Sequence, residues 1–474
     1  MTQTEEFRKY AHEFVDWIAD YYSDIEKYPV KSQVKPREIF NKIPVLPPET
    51  GENMADIFKD FENIILPGIT HWQSPNFFAY FPANGSYPSL LAEMLTSALG
   101  AQCMKWETSP AAAELEARVT SWLRDMMGLP SLWTGVIQDT ASTSTLAAIL
   151  TAREKYSDYL INLNGMKDYS DLRVYCSEET HSSIEKAVKI AGIGNSNLVK
   201  IGTDGNFAMI PSELKRRIEE DKKNGYKPLC VVAALGTTGS TAVDPLKDIS
   251  VICREFGIWL HIDAAYAGSA LILPEFRSLT DGLEQADSFV FNPHKWLFTN
   301  FDCSVYFVKD PAALVRTFEI IPEYLKTLSD NKVNNYCDWG IPLGRRFRAL
   351  KLWFVIRSFG VKGLQEKLRN HISIAKTIEL RITKDKNFEI LAPVNFNVIC
   401  FRYKPDNLLS GEALNCLNEN LLQTLNKTGK IYLTHTKLKG KYTLRMVTAQ
   451  TNVTLEHAEK AWELITRTAS GLTI

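Results

Sequence analysis

Apolar positions along the chain change rhythm twice. Phe7, Tyr10, Phe14, Trp17, Ile18 and Tyr21 recur three or four residues apart, the spacing of one helix face. That much aromatic area would form a large exposed patch on an isolated helix, so this face is expected to dock on a neighbouring segment or a second subunit. Pro36, Pro44, Pro47 and Pro48 punctuate the next stretch, residues 54–66 read as an amphipathic helix, and residues 72–82 read as an aromatic loop. From about residue 85 to 310, short apolar runs alternate with charged amphipathic stretches. The runs at 172–176, 229–235, 258–260, 288–291 and 305–308 read as buried strands, and 183–193, 211–223 and 245–256 read as helices. Buried strands separated by helices indicate an α/β fold with a mainly parallel sheet flanked by helices. Residues 343–359 read as a long basic helix with an apolar stripe. Beyond Gly363 a small α+β region closes the chain, with strand candidates at 398–401 and 442–445.

Composition narrows the function. A chain of 474 residues can bury a large core and is expected to hold more than one domain. Its 54 Lys and Arg nearly balance 55 Asp and Glu, which argues against a nucleic-acid surface or a basic membrane face. No apolar run reaches membrane-spanning length, and the opening residues Met1 to Glu6 are acidic with no apolar signal core, so no membrane association is expected. The 8 cysteines have neither a Cys-x-x-Cys pair nor metal-ligand spacing. They are expected to be reduced thiols in a cytoplasm, mostly small core residues, with no metal site.

Two strand ends carry candidate chemistry. Asp263 follows the run Trp259-Leu260-His261-Ile262, and Lys295 sits in Asn292-Pro293-His294-Lys295-Trp296 after Ser288-Phe289-Val290-Phe291. Open α/β sheets place their sites at such ends. An imine-forming lysine must be partly neutral, and desolvation shifts it that way. A carboxylate at the end of an apolar strand needs a cationic partner. A protonated pyridine nitrogen is one; a structural salt bridge or a helix cap would serve equally. Lysine and acid together are the minimum for a pyridoxal phosphate (PLP) enzyme. Ala265 falls on the same side as Asp263 by strand alternation, where a flat ring could lie close. Residues 139–145, Asp-Thr-Ala-Ser-Thr-Ser-Thr before an apolar helix, suit either a phosphate or an ordinary N-cap, and they lack Walker-loop spacing. Gly236-Thr237-Thr238 ends another strand. His181 lies between a strand and a helix, as a stacking partner, a proton carrier or a polar loop residue.

In combination these residues resemble the group II PLP-dependent decarboxylases, and within them the aromatic L-amino acid decarboxylases. The resemblance covers nearly the whole chain. It includes His71-Trp72, Phe77-Phe78-Ala79-Tyr80-Phe81-Pro82, Gly205-Asn206-Phe207-Ala208-Met209, His261 to Ala270, Asn292 to Trp296, and Ile341-Pro342-Leu343-Gly344-Arg345-Arg346-Phe347. It implies the fold type I architecture of PLP-dependent transferases, with an N-terminal helical dimerisation segment (1–84), a large PLP-binding domain (85–360) and a small C-terminal α+β domain (361–474). It implies a homodimer with shared active sites and an aromatic L-amino acid substrate. By the same resemblance Lys295 forms the imine, Asp263 pairs with the pyridine nitrogen, Ala265 packs on one ring face and His181 on the other. Thr238 belongs to the cofactor site. The Ala141 N–H, Ser142, Asn292 and His294 line the phosphate end. Trp72, Tyr80, Phe81 and Pro82 line the substrate pocket, with Arg345 nearby and with Gln102 and Met104 contributed across the dimer.

Tyr324, opening the polar stretch 326–335, corresponds to the family's proton donor to Cα after CO2 leaves. Phenylalanine there marks relatives that make an aldehyde, so tyrosine favours simple decarboxylation over an aromatic aldehyde synthase. A non-catalytic PLP-fold binding protein is a further alternative, opposed by the joint presence of Lys295, Asp263, His181 and Tyr324. Three departures bear on the substrate. Ala83 stands where animal dopa decarboxylases carry threonine. Gln102 and Met104 replace an aliphatic residue and a phenylalanine. Asp139 replaces the glycine expected at the start of the phosphate loop, where a carboxylate must turn away from a phosphate.

Overall fold

A computed structural model describes residues 2–320, 333–405 and 410–472. The chain forms two compact units, one of Ala83–Ser373 with Ala392–Ile399 and the other of Met1–Pro82, Ile374–Leu391 and Cys400–Ile474.

The larger unit is built on seven strands: β1 (Thr134–Gln138), β2 (Leu172–Ser177), β3 (Leu198–Ile201), β4 (Lys227–Ala234), β5 (Trp259–Asp263), β6 (Ser288–Phe291) and β7 (Ser304–Val308). Their order is β1-β7-β6-β5-β4-β2-β3. Strands β3, β2, β4, β5 and β6 are mutually parallel, whereas β7 is antiparallel to both β6 and β1. Every residue of β5, β6 and β7 is buried, as expected for strands covered on both faces. Helix Ala141–Tyr156 lies across β1, β4, β5, β6 and β7. It supplies Leu146, Ile149 and Ala152 to a core with Val174, Cys176 and Val232, and Ala147 and Ala148 to another with Val136, Val290 and Tyr306.

The expected strands and helices of this unit form, with shifted ends. The helix expected over 183–193 stops at Ile190, and Gly192 and Gly194 follow with φ of 76° and 87°. The helix expected over 343–359 begins only at Arg348 and runs to Lys384, broken at Gly360 (φ 63°, ψ 169°), a conformation glycine adopts without a Cβ penalty. Strands β1 and β3 escape the apolar-run criterion. In β1, Gly135 is required by close packing, since a Cβ there would stand 2.8 Å from the Phe307 ring and 2.7 Å from Thr120 Cβ.

The second unit contains an antiparallel sheet of β8 (Phe388–Ile390), β9 (Val398–Tyr403), β10 (Thr434–Leu438) and β11 (Lys441–Val447), in the order β10-β11-β9-β8. The N-terminal segment belongs to this unit. Phe78 N–H donates to the Tyr432 carbonyl (2.9 Å), Val447 N–H to the Phe78 carbonyl (3.0 Å) and Val30 N–H to the Gly429 carbonyl (2.8 Å). Helix Gln3–Ser23 opens with a Thr2–Glu5 capping box and docks its aromatic face on the segment after residue 54. Phe14 stacks on Phe58 at 4.6 Å, and Trp17 packs on Phe58 and Phe61 while its indole N–H donates to Glu62 (3.0 Å). Phe7 remains 72% exposed. The helix expected over 54–66 is an α-helix only for Met54–Asp60. A π turn (Phe61–Ile65) and a 3₁₀ turn (Leu66–Gly68) come next, where Pro67 cannot continue an α-helix. Among the described residues no helix is long and apolar enough to cross a membrane.

Candidate active site

Strand direction assembles the site. β7 runs against its neighbours on both sides, so β1, β2, β4, β5 and β6 all end on one rim. Asp139 to Ser142 follow β1, His181 follows β2, Gly236 to Thr238 follow β4, Asp263 closes β5, and Asn292 to Lys295 follow β6. Sheets of this kind bind ligands at such a rim.

Asp263 is buried, in register with Ala234 on one side and Val290 on the other. One of its carboxylate oxygens accepts the Ala265 N–H at 3.0 Å. Lys295 sits on a single helical turn, Pro293–Trp296, whose backbone is tied back by Lys295 N–H to the Asn292 carbonyl (2.9 Å). The two motifs are stapled together. Asn292 N–H donates to the Ala265 carbonyl (3.0 Å), and Tyr266 stacks on Trp296 at 5.1 Å and 11°. Trp296 then donates to His371 (3.0 Å) and Tyr266 to Asn397 (2.8 Å). The buried tryptophan of the lysine motif is thus an anchor that fixes where Lys295 emerges.

The electrostatics bring three predicted residues together. Lost hydration lowers the pKa of Lys295, and the nearby Asp263 carboxylate opposes that shift. His181 is on the exposed side of the rim, yet its pKa is lowered, first by lost hydration and then by Lys295, against the pull of Asp263. Its Nδ1 accepts the Ser183 N–H (3.1 Å), so the neutral ring carries its proton on Nε2.

The phosphate-end candidates also converge. Ala141 and Ser142 open helix Ala141–Tyr156, and the first N–H groups of a helix have no partner within it. His294 is buried and its pKa is pushed down to about 3, first by burial and then by Lys295. Its Nδ1 accepts the Cys303 N–H (2.8 Å), which leaves Nε2–H as a donor. The side-chain oxygen of Asn292 is buried without a hydrogen-bond partner among the described residues. Helix-start N–H groups and a neutral histidine donor on this rim fit a phosphate, and the orphaned Asn292 oxygen at the foot of the lysine turn is an acceptor still open to a donor. Thr238 is exposed on the loop after β4. Asp139 turns onto its own backbone, its carboxylate accepting the Thr140 N–H at 2.6 Å, and its charge bears on Arg348.

The substrate-side candidates divide between the two units. Trp72, Tyr80, Phe81 and Pro82 belong to the smaller unit. Trp72 stacks on Tyr80 at 5.7 Å, and the Tyr80 hydroxyl meets that of Tyr432 at 3.2 Å. Ala83 is half-buried in the larger unit. Gln102 accepts the Arg345 N–H through its side-chain oxygen (2.7 Å), and the Met104 carbonyl accepts the Cys337 N–H (2.9 Å). Arg345 is buried, and its guanidinium is committed within the protein. It forms a two-pronged pair with Glu116 (2.7 and 3.1 Å) and also donates to the Ile137 carbonyl (2.6 Å). These contacts make it a structural cation rather than a group presented to a substrate. Tyr324 lies outside the described residues.

Sequence reasoning gave Glu116 and His261 no role. Glu116 shares the buried face of helix Pro110–Met127 with Ala112, Val119 and Leu123, a helical spacing that could have marked it. His261 lies two residues before Asp263 with its nitrogens against Ser288 (2.9 Å) and Thr145 (3.3 Å), and burial holds its pKa down at about 4.

Comparison with known proteins agrees with this geometry. Residues 36–404 match the pyridoxal-dependent decarboxylase conserved domain. The chain is 43% identical to tyrosine decarboxylase 4 of Petroselinum crispum, covering 99% of this chain and 94% of that one. It is likewise 43% identical to a phenylacetaldehyde synthase of Petunia hybrida, covering 97% and 94%. The crystal structure of Oryza sativa TDC with PLP and tryptamine superposes with a TM-score of 0.96 at 36% identity, covering 98% of each chain. With its lysine, acid and histidine motifs on one sheet rim, the chain belongs to the pyridoxal-dependent decarboxylase family.

Proposed function

We propose that this protein is a PLP-dependent decarboxylase that converts aromatic L-amino acids into the corresponding arylalkylamines and CO2. Tyrosine, tryptophan, phenylalanine, dopa and 5-hydroxytryptophan are the candidate substrates. The observation that carries the reading is the placement of His181, Asp263 and Lys295 after the parallel strands β2, β5 and β6 on one rim. The 43% identity to a tyrosine decarboxylase over nearly the whole chain supports the substrate class.

PLP, when bound, supplies a carbonyl for the substrate amine and a ring that takes up the electron pair left by departing CO2. The chain's residues do the rest. Lys295 would hold the carbonyl carbon and yield it to the substrate; its lowered pKa gives it the neutral fraction this requires. Asp263 would keep the ring nitrogen protonated. Ala265 and His181 would confine the ring from its two faces. The Ala141 N–H, Ser142, Asn292 and the Nε2–H of His294 would hold the phosphate end, and Thr238 would belong to the cofactor site. Trp72, Tyr80, Phe81 and Pro82 offer aromatic and apolar surface for the substrate ring. Gln102 and Met104 would join from across a homodimer with shared active sites. Tyr324 would place the proton on Cα.

The dimer proposal draws support from helix Gln3–Ser23, which has no buried residue. Residues 1–84 would be the dimerisation segment, 85–360 the cofactor domain and 361–474 the small domain. A cytoplasmic location is supported by eight unpaired cysteines.

A second reading, aromatic aldehyde synthase, is favoured by the identity to the Petunia enzyme. Tyrosine rather than phenylalanine at 324 favours amine. The deciding experiment offers the PLP-loaded protein each candidate amino acid and glutamate, and measures amine, aldehyde, peroxide and CO2. Amine equal to CO2 from an aromatic substrate is expected. Aldehyde with peroxide would establish the second reading, and turnover of glutamate alone would overturn the aromatic assignment.

A further inference from the structure

Asp244 is a buried carboxylate, 1% exposed, that lies outside the residues assigned to cofactor and substrate. Its two oxygens reach two separate parts of the larger unit. One accepts the Met209 N–H at 2.8 Å, and the other accepts the Ala234 N–H at 2.7 Å. Its own N–H returns to the Ala234 carbonyl at 2.9 Å. Burial raises its pKa to about 6, and the two N–H donors work against that shift. A carboxylate can accept the two backbone N–H groups on two separate oxygens. An amide offers one accepting oxygen and would turn its NH2 toward the second donor.

The location gives the clamp a consequence. Ala234 is the last residue of β4 and stands in register with Asp263 on β5. The next residue, Leu235, donates to the Asp263 carbonyl at 2.9 Å and starts the loop that carries Thr238. That loop folds back on itself. Gly236 and Thr237 both donate to the Ala242 carbonyl (3.0 and 2.9 Å), Ala242 N–H returns to the Thr237 hydroxyl (3.1 Å), and Leu235 bridges Val243. Asp244 closes it at the base. At the far side Met209 belongs to a tight turn in which Phe207 has φ 67° and the Asp204 carboxylate accepts the Asn206 and Ala208 N–H groups. A second tether comes from Asn395, whose NH2 donates to the Thr241 carbonyl at 3.1 Å.

We propose that Asp244 is a positioning residue for the cofactor loop. It pins the loop's base between the end of β4 and the Met209 turn, so that Thr238 is held at the cofactor. The proposal rests on the reading of Thr238 as a cofactor contact. It also assigns a purpose to the Gly205–Met209 motif, whose backbone supplies the second N–H of the clamp.

The test is a double-mutant cycle on PLP affinity, measured by titrating apoprotein and following both the yellow absorbance of lysine-bound cofactor and tryptophan fluorescence. Asp244→Asn keeps size and one acceptor. It is expected to weaken PLP binding about tenfold, the scale of one buried charge-assisted hydrogen bond. In a Thr238→Ala background the same change is expected to weaken it less than about threefold, because the contact it positions is already gone. Asn395→Ala, a milder loosening of the same loop at a half-buried residue, is expected to weaken PLP binding with the apoprotein's melting temperature unchanged. Additive losses from Asp244→Asn and Thr238→Ala would make Asp244 merely structural and overturn the proposal. So would unchanged PLP affinity in both Asp244→Asn and Asn395→Ala. If Thr238→Ala alone leaves affinity unchanged, the cofactor reading of Thr238 fails, and the positioning proposal falls with it by a separate result.

Discussion

The ion pair between Arg345 and Glu116 gives the sharpest prediction, because it separates a structural cation from a substrate contact. Both side chains are buried, at 8% and 3% exposed, and the Arg345 guanidinium also lies 4.9 Å from the Tyr336 ring. Breaking a buried pair by removing one partner costs about 3–5 kcal/mol. The two single substitutions should nevertheless differ. Glu116→Gln strands a guanidinium that cannot be deprotonated. At about 2 °C per kcal/mol for a unit of this size, it should lower the melting temperature by roughly 6–10 °C at every pH from 5 to 8. Arg345→Met strands a carboxylate, which can escape by taking up a proton. The cost of that escape falls by about 1.4 kcal/mol per unit of acidification. The stability gap to the parent protein should therefore narrow as the pH falls from about 7 to 5, by no more than about 3 kcal/mol. The residual gap reflects the orphaned Ile137 carbonyl. The assay is urea unfolding at pH 5, 6 and 7, alongside kcat and KM at pH 7 for the preferred aromatic substrate. If Arg345→Met unfolds at the parent's midpoint at pH 7 while KM rises tenfold or more, Arg345 is a substrate contact and the structural reasoning is wrong.

The rim yields three more tests. Replacing Lys295 by alanine should abolish both CO2 release and the yellow absorbance, and retention of full decarboxylation would sink the assignment of the site. Gly236 has φ 92°, and a Cβ there would stand 2.6 Å from Ala267 Cβ, so Gly236→Ala should cost about 2 kcal/mol or more in unfolding free energy and loosen PLP binding; an unchanged urea midpoint would refute it. The apoprotein should weaken in acid. The pKa values of His261 and His294 are held down at about 4 and about 3, so each contributes stability present above pH 6.5 and loses roughly 3 kcal/mol of it by pH 4. Asp244, raised to about 6, works the other way and returns roughly 2 kcal/mol over the same range, leaving a net loss of roughly 4 kcal/mol. A urea midpoint at pH 4.5 equal to that at pH 7 would refute this balance.

Local signals carried much of the fold. The buried strands β2, β4, β5, β6 and β7 were legible as apolar runs because strands covered on both faces must be apolar throughout. β1 and β3 were not. Gly135 and the polar-interrupted Leu198–Ile201 are set by what packs on them, which no local window contains. The same limit explains the N-terminal segment. Its aromatic periodicity announced a docking face, whereas the backbone pairing of Phe78 with Tyr432 and Val447 joins residues more than three hundred positions apart. At the site, short motifs located Lys295, Asp263 and His181, since the chemistry demands those types at strand ends. Glu116 was marked only by its place on an apolar helix face, and Asp244 by nothing local, for a physical reason. A charge that serves backbone N–H groups or a buried partner looks in sequence like any solvated charge, until the fold removes the water.

The rim is also unbalanced in a way that says what it is built to receive. Lys295 lowers the pKa of both His181 and His294, adding to the effect of their burial, and Asp263 is the anion that bears on Lys295. Burial pushes all three nitrogen bases toward neutrality, and Lys295 adds to the effect on the two histidines. On the same rim are the first N–H groups of helix Ala141–Tyr156, which have no partner within the helix, and the buried side-chain oxygen of Asn292, an acceptor without a partner among the described residues. Leaving such groups unmet is costly. A dianionic phosphate would meet the N–H donors, and a protonated ring nitrogen would meet Asp263. Asp139 would spoil this balance if it faced the phosphate end. Its carboxylate accepts the Thr140 N–H at 2.6 Å, and its charge reaches Arg348, which is itself paired with Asp302 at 2.8 Å. The acid that departs from the expected glycine thus has a backbone donor of its own and a cation within reach of its field, while the first N–H groups of helix Ala141–Tyr156 stay without a partner inside the helix.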